Sequence, residues 1–436
     1  MASTSDHRIR SKMKKCDPSE FTIHDFLNEC KTADAADSRF EESEDASGPT
    51  TFVNGVAESK LGNLYRRVAD IVSTQEGYKQ RKDTSGRFHF ILGGARGAGI
   101  PFKRFAQLFK WDYGITPHCN YFRGHVWITQ KVKLIQTLRQ ANLEHVTPDA
   151  FLFFPSSADD NETEQFRIAS ESGSKRAAAA GNTWICKASD ATRGERTFIS
   201  DDYDQIMNHL ESQDKASSPW CVQRYISEPL LLPGKRKFDL RFFVLVDKDL
   251  DSYVSSQVIV KTCKNSFTMD DLADKMAHLS TAAIQHRNES DSSDMPVEQL
   301  AKWLSSEHGA NFEADLAAPA RETIAQVLAA AQDKLENVEH ADFTSFQVFA
   351  FDFAVDANLK PWLVEVCAPI DFPEDIVPEL ASDVVNLAVK PVFAANSDSR
   401  NEKPRSGRLL VPLPHVSMST SSRGPSSGSS SNQRKK

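Results

Sequence analysis

Hydrophobic and polar positions alternate most regularly over FQVFAFDFAVDANLKPWLVEVCAP, residues Phe346 to Pro369. The period of two predicts a strand from Phe346 to Val355. Phe346, Val348, Ala350, Asp352 and Ala354 fall on one face, and Phe349, Phe351 and Phe353 on the other. Ala357 to Lys360 breaks the pattern as a four-residue hairpin loop, and PWLVEVC resumes it. Continued alternation groups Leu363, Glu365 and Cys367 on one face and Trp362, Val364 and Val366 on the other. Such a hairpin sets Asp352 directly opposite Glu365. Two carboxylates that close repel unless a cation or a shared proton intervenes. The pair therefore reads either as a Mg²⁺-nucleotide site, since Mg²⁺ takes oxygen ligands and bridges phosphates, or as solvated acids on a surface hairpin. On the hairpin alone both readings stay open.

Elsewhere the pattern supplies the rest of an α+β protein. Thr51 to Val53 and RFHFILGG read as strands, and Leu61, Leu64, Val68 and Val72 recur at helical spacing. The glycine-rich GGARGAGIPFKR lacks the Gly-Lys-Ser/Thr ending of a phosphate loop and the full dinucleotide fingerprint, so it reads as a flexible basic loop. VKLIQTLRQANL predicts a helix. NTWICKAS, CVQRYISEPLLL, KFDLRFFVLVD and SYVSSQVIVKTC, rich in β-branched and aromatic residues, predict strands. Residues from about 270 to 340 are helical in character, and EDIVPELASDVVNLAVKPVF reads as a closing helix. We expect an N-terminal domain over 49–155 and a larger unit over 156–396. Residues 1–48, apart from a short amphipathic helix at FTIHDFLNEC, and the Ser/Arg-rich stretch 397–436 are expected to be disordered.

Composition narrows the function. The chain has 436 residues, 40% hydrophobic and 26% charged, as in ordinary globular proteins, and its formal net charge is −8. That balance disfavours nucleic acid as the main partner. No apolar run reaches the roughly 18 residues of a membrane span, and no membrane association is expected. The seven cysteines, without a CxxC pair, fit reduced thiols better than a disulfide frame or a zinc site.

The chemistry-bearing residues lie in the predicted strands of the larger unit. Lys187 ends the apolar TWICK, where its ammonium can meet a phosphate while its stem packs in the core. Gln223, Arg224, Tyr225 and Ile226 lie between the two halves, a place for an adenine to meet the backbone. Lys237, Asp239 and Arg241 alternate along KFDLRFF and share a face, either as a surface charge ladder or as a clamp for phosphate and carboxylate. Asp352-Phe353-Ala354 is like a kinase metal triplet, but no HRD-like loop precedes it. Neither a Ser-His-Asp set nor HExxH appears. Scattered lysines and carboxylates without a Walker loop point to an ATP-grasp-like arrangement.

The order NTWICKAS, VQRYISEPLLL, RKFDLRFFVLV, HLSTAAIQ and FDFAVDANLKPWLVEV resembles the tubulin–tyrosine ligase family. The similarity extends through TTFV, RFHFILG, NYFRGHVWITQKVKLI and ELASDVVNLAVKPVF, roughly residues 50 to 395. The resemblance implies an ATP-grasp fold and an ATP-dependent carboxylate–amine ligase acting through an acyl phosphate, with ATP and Mg²⁺ as cofactors. Its expected product is tyrosine added to the C-terminus of α-tubulin. The alternatives are a glutamylase or glycylase and a non-catalytic binder of tubulin tails. It further implies a cytoplasmic, cytoskeleton-associated monomer whose basic groove receives an acidic tubulin tail.

By the same resemblance, Lys131, Arg241, Lys261 and His278 are expected in catalysis. Lys187, Ser189, Gln223 to Ile226, Lys237 and Asp239 are expected around the nucleotide, and Asp352, Glu365 and Cys367 around the metal. The chain departs from the family pattern at four places. Cys367 stands for asparagine, Thr281 for asparagine beside the matching His278 and Ser280, and Lys261 for arginine. Ala191 and Arg196 stand where glycines are common, which stiffens the loop after Lys187. Sulfur in place of an amide oxygen puts one of two magnesium positions in question, and Asp371 is a candidate to compensate.

Overall fold

Residues 50–414 are described by a computed structural model, except 57–61, 82–83, 85–87, 95–98, 103–104, 106–115, 156–159, 173–180, 214–217, 286–294, 336–342, 369–371 and 395–405. The helix expected at 21–30, Asp371, part of the glycine-rich loop and both chain ends lie outside the described residues.

Short aliphatic segments build the first sheet. β1 (Thr51–Asn54), β2 (Lys79–Arg81), β3 (Phe90–Leu92) and β4 (His118–Cys119) are parallel, in the order β4-β3-β1-β2. A helix, Asn63–Thr74, connects β1 to β2 and buries Leu64, Val68 and Val72, three of the positions whose spacing predicted it. A second sheet, antiparallel, comprises β5 (Ala150–Phe153), β6 (Trp184–Ala188), β7 (Thr197–Ser200) and β8 (Trp220–Arg224), in the order β5-β8-β6-β7. The boundary expected at 155/156 separates β5 from the strand it pairs with. Ala150 to Phe153 lie opposite Gln223 to Trp220, and Phe151 packs with Phe166 and Trp184. The polar stretch after β5 is thus a connection inside one unit.

The third and largest sheet carries the long strands β10 (Arg236–Val246) and β11 (Ser252–Thr262), preceded by the short β9 (Leu231–Leu232). β12 (Thr344–Ser345) first returns to the first sheet, parallel to β4. β13 (Gln347–Val355), β14 (Pro361–Cys367) and β15 (Leu410–Pro412) then complete the order β14-β13-β10-β11-β15, with β9 beside β10. Every residue of β13 is buried. Phe349, Phe351 and Phe353 pack in one core with Ile324 and Val327 of the helix Ala318–Ala330. On the opposite face Val348 and Ala350 enter a second core with the first sheet and the helix Val377–Val384. That face turns polar only at Asp352.

The hairpin puts Asp352 opposite Glu365, but by a different route. Val355 pairs with Pro361, so the turn Asp356–Lys360 holds five residues. Asp356 closes it by accepting hydrogen bonds from the Asn358 and Lys360 amides and from the Trp362 indole, at 2.9, 3.0 and 2.9 Å. Phe353 then pairs with Leu363, and an extra residue, Val364, bulges out before Glu365. The bulge overturns the expected alternation. Leu363 joins the core with Val366, while Trp362 lies opposite Ala354 on the Asp352 side.

Part of the stretch expected to be disordered is also a strand. Leu410 to Pro412 pairs with β11, and Leu409, Leu410 and Leu413 are buried. Its anchor is the buried Asp383. One carboxylate oxygen accepts the Arg408 amide at 2.9 Å, and the other the Leu409 and Leu410 amides at 2.7 and 2.9 Å. Gly407 passes so close that a Cβ there would collide with this carboxylate. A chain ending at residue 396 should therefore melt well below the full chain. Asp383→Ala, which leaves buried amides without an acceptor, should cost about 3 kcal/mol in chemical denaturation. A truncated chain that melts like the full one would show that β15 adds no stability.

His118 ties the first sheet to the C-terminal helices. A carbonyl only accepts, so Nε2 carries the proton donated to Ala388 O at 3.1 Å, and Nδ1 accepts from the Thr344 hydroxyl at 2.7 Å. Burial pushes the ring down from 6.5 to about 3. The unfolded chain therefore takes up this proton before the folded one does. The neutral ring's contribution is complete above pH 6.5 and is lost progressively as the pH falls toward 3. Between about pH 6.5 and 5 this should remove about 2 kcal/mol of stability, and His118→Phe should flatten the slope in pH-dependent denaturation.

Candidate active site

A cleft opens between the second and third sheets, and the strand ends on both sides supply its charges. On the floor, β10 and β13 place Arg241 opposite Asp352, and β11 sets Lys261 opposite Asp239. Arg241 grips Asp352 with two parallel bonds, Nε to Oδ1 and Nη2 to Oδ2, both 2.7 Å. Lys261 adds a third at 3.0 Å. Burial alone would raise the Asp352 carboxyl; the two adjacent cations outweigh it and hold the group well below the usual carboxylate range. Glu365 is paired instead with Lys131, Nζ to Oε1 at 3.0 Å. There too burial is outweighed, and the Glu365 carboxyl lies below its ordinary value.

Lys131 bridges two parts of the site, because its ammonium also donates to Ala191 O at 2.8 Å. Ala191, Thr192, Gly194 and Glu195 form a loop that lines the cleft. Gly194 has φ of 72°, and a Cβ on it would lie 2.6 Å from Ile284 Cδ1, so glycine is favoured there and a side chain would be strained. Arg196 also takes left-handed backbone, φ 48°. It is held by the Asp190 carboxylate at 3.3 Å and stacks over the Trp220 ring at 5.2 Å.

Lys187 differs from the other cations. It is deep in the cleft wall and donates to the neutral amide oxygen of Gln223 at 2.8 Å. Among the described residues no carboxylate lies within ion-pair distance of it. Burial accordingly pulls its ammonium below the ordinary lysine value. A half-buried ammonium whose partners, the Gln223 amide and the Val364 carbonyl at 3.5 Å, are both neutral is poised for an anionic ligand. Gln223 is itself fixed by donating to Thr147 Oγ1 at 2.8 Å, and the Thr147 hydroxyl donates to Leu363 O at 2.8 Å. This chain of bonds couples the two sheets across the cleft. Nothing in the local sequence marks Thr147, whose role exists only through that pairing.

Several expected residues stand differently from the expectation. The Ser189 hydroxyl accepts the Val132 amide at 3.2 Å and so caps the helix Lys131–Gln140, which aims Lys131; it does not line the cleft. Arg224 lines the cleft, while its guanidinium bonds Asp149 at 3.4 Å and stacks 4.2 Å from the Trp184 ring centre, so the expected adenine contact there falls to the backbone. His278 is a support: Nε2 donates to Asp271 O at 2.9 Å and Nδ1 accepts from the Tyr225 hydroxyl at 2.7 Å. Burial lowers its pKa, and with both nitrogens engaged the ring orients Tyr225. Lys237 pairs with Asp239 at 2.5 Å, and the Ser280 hydroxyl closes on the other Asp239 oxygen. Tyr225, Ile226, Lys237, Asp239, His278, Ser280 and Thr281 line the cleft together with Arg224.

Asp352, Glu365 and Cys367 bring their ligand atoms within 4.8 Å of one another. The two ionised carboxylates suit Mg²⁺. The thiol does not: burial first, then Glu365 and Asp352, push it up to about 12, so it is neutral sulfur where a hard ion requires oxygen.

A cleft between two antiparallel sheets, walled by lysines and floored by paired carboxylates, defines an ATP-grasp-like α+β protein. A family model described as "Tubulin-tyrosine ligase family" matches residues 112–396, and the chain belongs to that family. It is similar to "Tubulin glycylase 3B" of Tetrahymena thermophila, 26% identical over 221 residues. It is also similar to "Tubulin monoglutamylase TTLL4" of Mus musculus, 27% over 295 residues, and to "Probable tubulin polyglutamylase TTLL2" of Homo sapiens, 29% over 220. These matches cover 48%, 62% and 47% of this chain but only 18%, 23% and 35% of the relatives.

The two carboxylates should respond differently to neutralisation. The Asp352 side chain is 4% exposed and holds two cations, so Asp352→Asn should cost about 3–5 kcal/mol of stability as well as metal-dependent nucleotide binding. The Glu365 side chain is 31% exposed with one; Glu365→Gln should cost less than about 1 kcal/mol while weakening the same binding. Calorimetry beside thermal melts separates the two effects. Equal losses of melting temperature would refute the assigned asymmetry.

Proposed function

We propose that this protein is an ATP-dependent ligase that joins glutamate or glycine to a carboxylate of the tubulin tail. The observation that carries the ATP-dependent chemistry is Lys187, a half-buried ammonium with neutral partners only, facing a cleft whose opposite side holds paired carboxylates. The named relatives are glycylases and glutamylases. They support those amino acids over the tyrosine expected from the sequence. This substrate would place the protein in the cytoplasm with the microtubule cytoskeleton.

A carboxylate is a poor electrophile because its oxygen leaves badly; bound ATP supplies the phosphoryl group that activates it, and Mg²⁺ screens the phosphate charge. Asp352 and Glu365 would hold the metal. The chain's own contribution is electrostatic. Lys187 offers a desolvated positive charge to phosphate, Arg241 and Lys261 keep Asp352 ionised and oriented, and Lys131 ties the covering loop to Glu365. The Lys237–Asp239–Ser280 set and the His278-oriented Tyr225 give the substrate side a fixed polar wall.

A second reading, a binder of tubulin tails without turnover, is favoured by the thiol at Cys367. Purified full-length protein incubated with ATP, Mg²⁺, tubulin and labelled glutamate, glycine or tyrosine distinguishes the readings. Incorporation of glutamate or glycine is expected, reduced at least about a hundredfold by Lys187→Ala. Tyrosine incorporated alone would overturn the proposed amino-acid choice. Nucleotide and tail binding with no incorporation would establish the binder.

A further inference from the structure

Cys367 belongs to the carboxylate cluster, yet the proposed chemistry makes no use of it. Its position is imposed by the sheet: Ala350 lies opposite Cys367 and Asp352 opposite Glu365, so sulfur and carboxylate stand two residues apart on one face of β14. The Arg241 guanidinium reaches the sulfur, Nη2 to Sγ at 3.8 Å, so a metal there would displace that weak contact. Cys367 is half-buried, whereas Cys119, Cys186, Cys221 and Cys263 are fully buried. The sulfur and one oxygen from each acid lie within 4.8 Å of each other, close enough to meet on one ion.

Two hard oxygens and one soft sulfur match Mg²⁺ poorly, since it demands oxygen in near-ideal octahedral geometry. The same set matches a borderline or soft divalent ion, which accepts thiolate beside carboxylate. We infer that the Asp352–Glu365–Cys367 cluster selects a thiophilic divalent cation of the Zn²⁺ class over Mg²⁺, and that Cys367 confers the selection. On binding, the S–H bond breaks, a metal–sulfur bond forms and the proton passes to solvent; no electron changes hands.

The surrounding charges set the condition for binding. Arg241, Lys261 and Lys131 bring three positive charges to two carboxylates, so a dication entering alone would add to an excess of positive charge. A polyphosphate in the cleft reverses that balance and competes for the lysines. The inference therefore rests on the nucleotide reading of the cleft, and the ion is expected to bind together with nucleotide.

Cd²⁺ reports thiolate coordination through an ultraviolet sulfur-to-metal charge-transfer band. Full-length reduced protein would be titrated with Cd²⁺ in the presence and absence of ADP, with a fluorescent ADP analogue reporting nucleotide binding in parallel. The expected result is a saturable band with ADP, at least tenfold weaker without it, abolished in Cys367→Ser and Cys367→Asn. Cys367→Asn should also lower the Mg²⁺ concentration needed to retain nucleotide by about tenfold, in line with the restored oxygen donor. Protection of Cys367 from alkylation by Cd²⁺ plus ADP, read by mass spectrometry on the wild-type chain, gives the same answer if a variant fails to fold. Nucleotide binding without the band or the protection would overturn the inference alone. Loss of nucleotide binding as well would overturn the nucleotide reading with it, and a band that survives in Cys367→Ser would place the metal on another thiol.

Discussion

The site depends on keeping a carboxylate ionised where burial would neutralise it. Asp352 lies in a strand with no exposed residue, and its charge persists because Arg241 on the adjacent β10 and Lys261 on β11, one strand further, both reach it. Three strands, β11, β10 and β13, must therefore be in register for one functional group to exist. Their register is in turn fixed by apolar packing on both faces. A one-residue slip of β13 would carry its phenylalanines out of the helix-facing core and Asp352 into it. Stability and chemistry here share a single alignment.

The same economy extends to the rest of the cleft. Lys131, aimed by a helix that Ser189 caps, holds both Glu365 and the covering loop. Thr147 and Gln223 bind the two sheets to each other beside Lys187. Lys131, Lys237, Arg241 and Lys261 are already matched to acids, so a ligand rich in phosphate would enter by exchanging partners. That requirement favours an anionic, multivalent ligand over a neutral one.

Much of this was legible in the chain, for reasons that are local. Alternation in FQVFAFDFAV identified β13 and the shared face of Asp352, because a buried strand has a strict period. The pairing of Asp352 with Glu365 was also read, although two departures, a turn one residue longer and the Val364 bulge, cancel to produce it. What escaped was non-local. β15 is hidden because LLVPL is brief and surrounded by serine and charge, and only its pairing with β11 and Asp383 makes it a strand. Ser189, Arg224 and His278 lie where expected along the chain, but the direction of each side chain is set by partners distant in sequence.

The placement of β12 has a consequence for how the protein is made. The first sheet begins at residue 51, yet its outer strand is Thr344–Ser345 and its core is closed by the helical run Val377–Val389. A chain emerging from the ribosome must therefore hold its N-terminal strands unsealed while some three hundred further residues are synthesised. The second sheet, by contrast, is complete once β8 has emerged at Arg224. The middle of the protein can thus fold before its beginning. During that interval Phe52, Phe90 and Ile91, fully enclosed in the finished molecule, face water or a chaperone.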